Sequence, residues 1–417
     1  MESALPRRAW LGVELEPPSE SVGPGVVVAA VHATSPAGQA GVRPGDRLVA
    51  LGPHAIGGQA DVTSALAALG AAATTGVDIE RSGAALTLEV QTTPMPLERF
   101  EHAELRLETV ALDEHRLRAL YALPLPAVAA PPPWPAVVLL PGLSPGTVEH
   151  PFEPGHPLLR IVDGLARAGF VTLRVERSGL GDSEGPPCAD GDLEQELATC
   201  QAGLDALGRQ AFVVPERRFV FGYSVGGMIA PVVAHREGLR GVAVFGASAR
   251  RWADCIASTS RRQLVLRGAT SLELEERVGL ITRMQELVCR AGLTPAQAFE
   301  RHAELGVLRS AACHDDRLFG RAVAFFRQLD ALDLPRAWRE LDSDVLALHG
   351  EHDAVASLEE AEEIATLAGA GRARAVEIAG VGHDLLRHAD AASALFTPAG
   401  RPDSGVLDAL VAWLASR

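Results

Sequence analysis

The sequence has 417 residues, of which 47% are hydrophobic and 22% charged, and its formal net charge at pH 7 is −15. This composition is typical of a globular protein with a large buried core, and the length predicts two domains. The acidic balance argues against a nucleic-acid partner, whose phosphates require a basic surface. All 38 basic residues are arginine, which excludes chemistry at a catalytic lysine.

Targeting and redox signals are weak. No segment holds the roughly 18 uninterrupted apolar residues that a membrane span needs, so we expect no span. The first eight residues lack the apolar core of a secretion signal, and the 5 cysteines are scattered with no C-x-x-C pair. These features predict a cytoplasmic protein with reduced thiols.

Two histidine pairs raise the question of a metal. His150 lies close in sequence to His156, and His349 to His352. We assign no acidic or cysteine ligand to the spacing of either pair. The sequence therefore predicts neither a metal site nor a cofactor.

Residues 9 to 93 consist of short strands, turns and one modest helix. Val26–Val31 and Asp46–Leu51 have the composition of buried strands. Between them runs the sequence S-P-A-x-x-A-G-V-x-P-G-D, from Ser35 to Asp46, which predicts a short helix and a tight turn. Together with the upstream sequence Trp10-Leu11-Gly12-Val13, this segment resembles a bacterial PDZ domain.

The PDZ resemblance predicts a small α+β domain over residues 1–95 that ends at a proline-rich junction. It implies that the backbone N–H groups of Leu11, Gly12 and Val13 hold the C-terminal carboxylate of a peptide, which adds to the sheet as a strand. The alternative is that the module packs on the domain that follows it or shades the entrance of that domain.

The second domain, residues 96–417, begins with two alternating segments, Ala103–Val110 and Arg116–Leu123, that predict an antiparallel pair. Near-continuous apolar strands separated by helices then predict a doubly wound, mostly parallel sheet. The predicted strands are 136–140, 170–175, 218–221, 242–245, 345–348 and 375–378. Residues 248–340 show no good strand and several amphipathic helices, so we expect an inserted helical cap above the carboxyl ends of the sheet, where such folds bind ligands.

The strongest chemical motif is Gly222-Tyr223-Ser224-Val225-Gly226, which lies between a predicted strand and a predicted helix. This G-x-S-x-G context makes a turn so sharp that the flanking positions must be glycine. The turn holds a serine hydroxyl at the helix N-terminus, where negative charge is favoured. The motif predicts Ser224 as a covalent nucleophile.

A serine hydroxyl needs a general base, and the base needs an orienting acid. His383 follows the last predicted strand, and Asp353 follows the strand before it, giving the order Ser, Asp, His. His388 is a competing base close in sequence, but we expect it to lie in a helix. Three further side chains near the pair are competing candidates or mere surface polar groups: Glu351, His352 and Asp384.

An oxyanion requires two backbone donors. The first is the N–H of Val225, directly after the nucleophile. The second is expected from the loop after the first central strand, where Leu143 N–H is the candidate and Ser144 an adjacent alternative.

The chain from Ala103 to Arg417 thus resembles the α/β-hydrolase superfamily. The segment Glu176–Gly185 is also similar to the family's D-x-R-G-x-G-x-S loop, with Glu176 in place of Asp and Ser178 in place of Arg. We expect these departures to affect pocket shape more than chemistry.

The resemblance implies a serine hydrolase that cleaves a carboxylic ester or thioester and acts on a small-molecule acyl substrate. A peptidase or amidase on short peptides is the alternative within the enzyme class. A PDZ-type peptide-binding scaffold with an incidental hydrolase domain is the alternative outside it.

Several cap residues have two interpretations. Six apolar side chains either line an acyl pocket or form the cap core: Trp252, Met284, Phe299, Phe319, Phe325 and Phe326. Four arginines either bind an anion or stay solvated: Arg250, Arg251, Arg261 and Arg262. Cys188 and Cys255 either lie near the pocket or serve as small hydrophobic residues.

Overall fold

The structure is a computed structural model that describes residues 5–16, 25–236, 238–310, 313–314, 316–397 and 400–417. The chain divides into two compact units, Met1–Leu97 and Glu98–Arg417.

The first unit is a small antiparallel sheet with two helices. Its elements are β1 (Ala9–Trp10), β2 (Val13–Leu15), β3 (Val26–Val31), α1 (Pro36–Ala40), β4 (Arg47–Leu51), β5 (His54–Ala55), α2 (Gln59–Leu69), β6 (Thr74–Arg81), β7 (Ala84–Gln91) and β8 (Thr93–Pro94). The main sheet has the order β2-β3-β4-β6-β7, with β5 paired to β4, and β1 pairs separately with β8.

Local sequence explains the first helix of this unit. The Ser35 hydroxyl accepts from Gly38 N at 3.1 Å, Pro36 occupies the first turn, and Gly41 ends the helix with φ +88°. Asp46, 1% exposed, pairs with Arg81 at 2.7 Å on the neighbouring strand β6. The S-P-A to P-G-D motif therefore encodes a helix cap, a helix stop and a buried carboxylate that pairs with an arginine on β6.

The second unit contains an eight-stranded sheet. Before the insertion its elements are β9 (Ala103–Leu112), β10 (His115–Pro124), β11 (Trp134–Leu140), α3 (Pro157–Arg167), β12 (Val171–Val175), α4 (Leu193–Gly208), β13 (Val213–Tyr223), α5 (Val225–His235) and β14 (Gly241–Phe245). After the insertion come β18 (Asp344–Gly350), α11 (Leu358–Ala368), β19 (Ala373–Ile378), β20 (Leu386–Arg387), α12 (Ala391–Phe396), β21 (Arg401–Pro402) and α13 (Gly405–Ala415).

The strand order of this sheet is β19-β18-β14-β13-β11-β12-β10-β9. Every pairing from β19 to β12 is parallel, whereas β10 pairs antiparallel with β12 and β9 antiparallel with β10. Helices α3 and α13 pack on one face and α4, α5 and α11 on the other, so the central strands are buried on both sides. The predicted doubly wound, mostly parallel sheet is confirmed.

The insertion between β14 and β18 is mostly helical. It comprises α6 (Trp252–Leu266), α7 (Ser271–Gln285), α8 (Pro295–Arg301), the short strands β15 (Cys313–His314), β16 (Arg317–Leu318) and β17 (Arg321–Ala322), then α9 (Val323–Ala331) and α10 (Leu334–Arg339). A π-helical turn, Glu286–Arg290, and a 3₁₀ segment, Ala303–Leu308, connect α7 to the strands.

The sequence predicts no good strand in this interval, and the structure adds three very short ones, β15, β16 and β17. The three strands have two residues each, too short to show the alternation by which a strand is identified. Within the described residues, no helix has the length and apolar character needed to cross a membrane.

Candidate active site

Ser224 lies between the last residue of β13 and the first residue of α5, with φ +54° and ψ −120°. A Cβ at Gly222 would lie 2.6 Å from Gly226 O, and one at Gly226 would lie 2.4 Å from Leu140 O. No side chain fits at either position. The two glycines therefore allow the strained serine conformation on which the motif depends.

The structure brings the three predicted triad side chains together. His383 Nε2 lies 3.1 Å from Ser224 Oγ, and His383 Nδ1 lies 2.8 Å from Asp353 Oδ2. With the Nδ1 proton directed at the carboxylate, Nε2 is the atom that accepts from the serine hydroxyl. The arrangement can therefore move a proton from Ser224 to His383.

Asp353 is held in its ionised form. Its side chain is buried, and Oδ1 accepts from Val355 N at 2.7 Å and from Ala356 N at 3.0 Å. Burial by itself raises the pKa of this carboxyl, but the adjacent His383 and the two backbone N–H groups outweigh it, so the pKa lies below its usual value. A fixed carboxylate of this kind orients the imidazole.

The competing candidates have other partners. His388 was expected in a helix but directly follows the short strand β20, and its Nε2 pairs with Asp384 Oδ2 at 2.9 Å. Glu351 accepts from Gly380 N at 2.7 Å, and His352 lies 4.0 Å from Glu351. None of these four side chains is hydrogen-bonded to Ser224 within the described residues.

The two predicted oxyanion donors, Leu143 and Val225, line the same cavity as Ser224. In the described part of the chain, neither backbone N–H donates to another group. Ser144 is absent from the residues lining this cavity, and its carbonyl accepts from Arg177. The geometry thus favours Leu143 over Ser144 as the second donor.

The cavity beside Ser224 has a volume of about 330 Å³ and mostly apolar walls. The insertion, residues 248–340, supplies eight of its lining residues: Ser248, Trp252, Cys255, Ile256, Thr259, Ser260, Gln263 and Phe319. The sheet domain supplies the others, among them Met228 and Val355. The cap therefore forms one wall of a pocket that opens at the nucleophile.

The structure separates the two interpretations of the cap residues. Trp252 and Phe319 line the cavity, whereas the other four predicted aromatic or methionine candidates are buried in the core: Met284, Phe299, Phe325 and Phe326. Cys255 lines the cavity, and its burial raises the pKa of the thiol to about 12, so the thiol stays neutral.

Three of the four cap arginines have carboxylate partners. Arg250 pairs with Glu363 at 2.8 Å, Arg261 with Glu275 at 2.7 Å and Arg262 with Glu360 at 3.0 Å. These ion pairs leave those three arginines less available for an anionic substrate.

Three residues that the motifs did not indicate also shape the site. A Cβ at Gly246, which follows β14, would lie 2.8 Å from His383 Nδ1. The Tyr223 hydroxyl donates to His383 O at 2.9 Å. Arg177, which lies between the two departures from the family loop, binds the carbonyls of Gly142 and Ser144. Of these three residues, only Gly246 had a signal in the sequence, because it is a glycine directly after a predicted buried strand.

The assignment of no acidic ligand to the histidine pair 150/156 was wrong. Glu153 lies between the two in sequence, and ligand atoms of all three side chains fall within 4.8 Å of one another. The imidazole rings, however, stack with centroids 3.7 Å apart and planes 12° apart, and His156 Nδ1 accepts from Leu158 N. In-plane lone pairs of parallel rings do not converge on one ion, so a metal would require the rings to turn.

A second cluster consists of Glu101, His102 and Asp163, whose ligand atoms also fall within 4.8 Å of one another. His102 Nδ1 is hydrogen-bonded to Asp163 Oδ2 at 2.6 Å, whereas Glu101 lies 4.0 Å from Nε2, the other ring nitrogen. The two carboxylates therefore face different nitrogens of one imidazole. This is the pattern of an oriented histidine rather than of a shared ligand set.

In the first unit, Leu11 and Gly12 lie on the loop into β2, the edge strand of the sheet, and Val13 is the first residue of that strand. Gly12 has φ +80°, and its carbonyl accepts from His32 N at 3.0 Å. Because Gly12 and His32 form a hydrogen-bonded pair, the next residue, Val13, directs its N–H and C=O away from β3. The edge can therefore accept an added strand.

Two known protein families match the chain. The PDZ domain family matches residues 9–92, and the alpha/beta hydrolase family matches residues 137–395, more than half of the chain. The chain belongs to the alpha/beta hydrolase family and carries a PDZ domain ahead of its hydrolase domain. Both resemblances inferred from the sequence are confirmed.

Comparison with curated proteins gave no match. Among solved structures, the chain is similar to Est1E from Butyrivibrio proteoclasticus, with 14% identity, a TM-score of 0.46, and coverage of 76% of this chain and 100% of that one. It is similar to proline iminopeptidase from Mycobacterium smegmatis, with 20% identity, a TM-score of 0.47, and coverage of 75% and 98%. It is also similar to a monoacylglycerol lipase from Paleococcus ferrophilus, with 19% identity, a TM-score of 0.42, and coverage of 72% and 98%.

Proposed function

We propose that the chain is a serine hydrolase that cleaves carboxylic esters or thioesters through an acyl intermediate on Ser224. The observation that carries this proposal is the pair of contacts of His383, 3.1 Å to Ser224 Oγ and 2.8 Å to Asp353 Oδ2. Ser224 and His383 both line a cavity large enough for a small acyl group.

In the proposed reaction, Ser224 Oγ attacks the substrate carbonyl carbon while its proton passes to His383 Nε2. The carbonyl oxygen becomes an oxyanion and accepts from Leu143 N–H and Val225 N–H. His383 then protonates the leaving alcohol or thiol, and the acyl–Ser224 bond remains. Water, deprotonated by His383, attacks the acyl carbon, releases the acid and restores the serine hydroxyl.

The cavity favours an uncharged, mainly apolar acyl group. Among the described residues that line the cavity, Glu360 is the carboxylate. It pairs with Arg262 at 3.0 Å and accepts from Ser357 N at 2.9 Å. A charged substrate group would lose its hydration in this pocket without gaining a free partner.

The experiment is hydrolysis of a panel of p-nitrophenyl esters, acyl thioesters and aminoacyl amides by the native chain and by Ser224→Ala. Ester or thioester turnover that depends on chain length and vanishes in the variant is the expected result. A fluorophosphonate probe should label Ser224 in the folded native protein, and absence of labelling would overturn the proposal. Turnover confined to the amides would assign a peptidase instead.

We propose peptide binding as a second function, at Leu11, Gly12 and Val13 of the PDZ domain. The outward-facing backbone of Val13 on the edge strand β2 supports it. Substituting Gly12 is not a suitable test, because a Cβ there would lie 2.1 Å from Ser35 Cβ.

The sharper test changes the ligand and leaves the protein intact. In a library of peptides with either a free or an amidated C-terminus, free carboxylates should bind and their amides should not. Equal affinity of both forms would contradict carboxylate capture. Peptide binding without turnover of any panel substrate would favour the scaffold alternative.

A further inference from the structure

The peptide bond between Gly142 and Leu143 has its carbonyl held by a buried cation. Arg177 Nη2 donates to Gly142 O at 2.6 Å, and Arg177 Nη1 donates to Ser144 O at 2.8 Å. In a trans peptide the C=O of one residue and the N–H of the next point in opposite directions within one plane. Fixing the Gly142 carbonyl on the Arg177 side therefore aims the Leu143 N–H away from Arg177.

The proposed catalytic cavity borders this peptide bond, and Arg177 is absent from the described residues that line it. Leu143 lines it together with Ser224, and a Cβ at Gly142 would lie 3.6 Å from Ser224 Cβ. A cation at the carbonyl also polarises the amide, which strengthens its N–H as a donor. Arg177 can thus set both the direction and the strength of one oxyanion donor.

Arg177 is itself held in place by a carboxylate. Its Nε donates to Glu196 Oε1 at 2.7 Å, and the two side chains are 5% and 6% exposed. The planar guanidinium has fixed donor directions, so one contact with Glu196 and two with the loop carbonyls determine its orientation. A lysine, as a point charge, cannot make these three contacts in one plane.

The insertion reaches the same carboxylate. Arg321 on β17, 2% exposed, donates from Nη2 to Glu196 Oε2 at 2.8 Å. Within the described residues its Nε and Nη1 have no hydrogen-bond partner. Glu196 therefore binds two arginines: Arg177, which holds the Gly142–Ser144 loop, and Arg321, which belongs to the cap.

We propose that Arg177 is a positioning residue for the Leu143 N–H, and that Arg321 sets the place of Arg177 through Glu196. The proposal rests on the proposed serine hydrolase function, because it assigns a role only if Leu143 N–H binds an oxyanion. It gives the cap a second task besides forming the pocket wall.

The test uses the full chain and the ester that the native protein hydrolyses best. Arg177→Lys should lower kcat by about 10- to 100-fold, approaching the loss seen when one oxyanion donor is removed, with little change in KM. The affinity for a trifluoromethyl ketone matched to the acyl group, which binds as an oxyanion, should fall in parallel with kcat/KM. Arg321→Lys should show the same signature with a smaller loss.

The matched control is Arg118→Lys. Arg118 pairs with Asp182 at 3.0 Å in an equally buried setting, with no contact to the Gly142–Ser144 segment among its described bonds. This variant should lose stability but keep the kcat/KM of its folded fraction.

The outcomes separate the two proposals. A native protein that hydrolyses no panel substrate contradicts the hydrolase proposal itself. A native protein that is active, with Arg177→Lys keeping kcat and ketone affinity per folded molecule, overturns the positioning role. If Arg177→Lys does not fold, Arg321→Lys decides: parallel losses support the coupling and unchanged values overturn it.

Discussion

Gly246 has a requirement that no motif reveals. It follows β14 with φ +61°, and a Cβ there would lie 2.8 Å from His383 Cε1 and 3.0 Å from Asp353 Oδ2. The backbone therefore passes where a side chain would displace the proposed base and its acid. The position is fixed by three segments far apart in sequence, so local pattern does not encode it.

We predict that Gly246→Ala lowers kcat by about 100-fold, because a shift of roughly 1 Å in a catalytic group has an effect of that size. The measurement is steady-state ester hydrolysis, with unfolding followed by circular dichroism. The alanine also adds strain at positive φ.

Gly268→Ala is the control for that strain. Gly268 has φ +78°, and a Cβ there would have no heavy atom within 4 Å, so it shares the backbone penalty without the contact. It should lose a similar amount of stability and keep its kcat. Equal loss of kcat in both variants would contradict the steric account of Gly246.

The stacked pair His150 and His156 makes stability depend on pH. Burial, and secondly the neighbouring His150, lowers the pKa of His156 to about 4, against 6.5 in an unfolded chain. Between these values the unfolded state binds a proton that the native state does not, so the free energy of unfolding falls as pH drops from 6.5 towards 4.

We predict that His156→Asn reduces this fall, because asparagine keeps an acceptor for Leu158 N but does not titrate. The measurement is urea unfolding of both proteins at about pH 7 and pH 5, on either side of the ordinary histidine pKa. An identical pH dependence in the variant would show that His156 is not the responsible group.

At the scale of single residues, the sequence predicts those site residues that belong to a local motif. Ser224, Asp353 and His383 each follow a predicted strand, and the structure brings their side chains together. Glu153 and Arg177 escaped notice because their contacts depend on loops whose path the sequence does not give. Arg177 differs further, since the family pattern places its arginine one residue later.

Among the elements, the hairpin of β16 and β17 is one that sequence reasoning missed. Its turn consists of Phe319 and Gly320, both with positive φ, at +48° and +77°. A glycine is ordinary there, but a phenylalanine in this region is strained. The side chain of Phe319 lines the cavity, and its ring centroid lies 5.9 Å from that of Trp252.

We predict that Phe319→Gly raises KM for the preferred ester several-fold while leaving the free energy of unfolding unchanged or higher. Glycine adopts positive φ without strain, whereas removal of the ring takes away a pocket wall. Ester kinetics across acyl chain lengths and urea unfolding are the measurements. A loss of stability with unchanged KM at every length would assign the ring to packing instead.

At the scale of the whole molecule, each unit has its own hydrophobic core. The first is built around Leu48, Val77 and Ile79, and the second on the two faces of the large sheet. Alternating apolar strands and helices predict the large parallel sheet, whereas the fold of the first unit was predicted from its resemblance to a PDZ domain. Separate cores also predict that each unit folds alone.

We predict that a truncated chain beginning at Leu97 folds and hydrolyses small esters with the kcat/KM of the full chain. This chain retains Glu98, whose side chain is fully buried. Glu98 pairs with Arg174 at 2.6 Å and accepts from His150 N at 2.7 Å. The measurements are ester kinetics and urea unfolding of the truncated chain. Loss of turnover in a folded, truncated chain would show that hydrolysis depends on the PDZ unit.

A second truncated chain, beginning at Arg99, isolates the contribution of Glu98. Arg174 is 1% exposed, and without this carboxylate its remaining hydrogen-bond partner in the described part of the chain is the Val148 carbonyl. Such a loss lowers the free energy of unfolding by about 3–5 kcal/mol, so this chain should unfold at markedly lower urea than the one beginning at Leu97. Equal urea midpoints of the two truncated chains would mean that Glu98 does not stabilise the hydrolase unit. A gap of the expected size would place the functional boundary of the hydrolase unit directly before this buried pair.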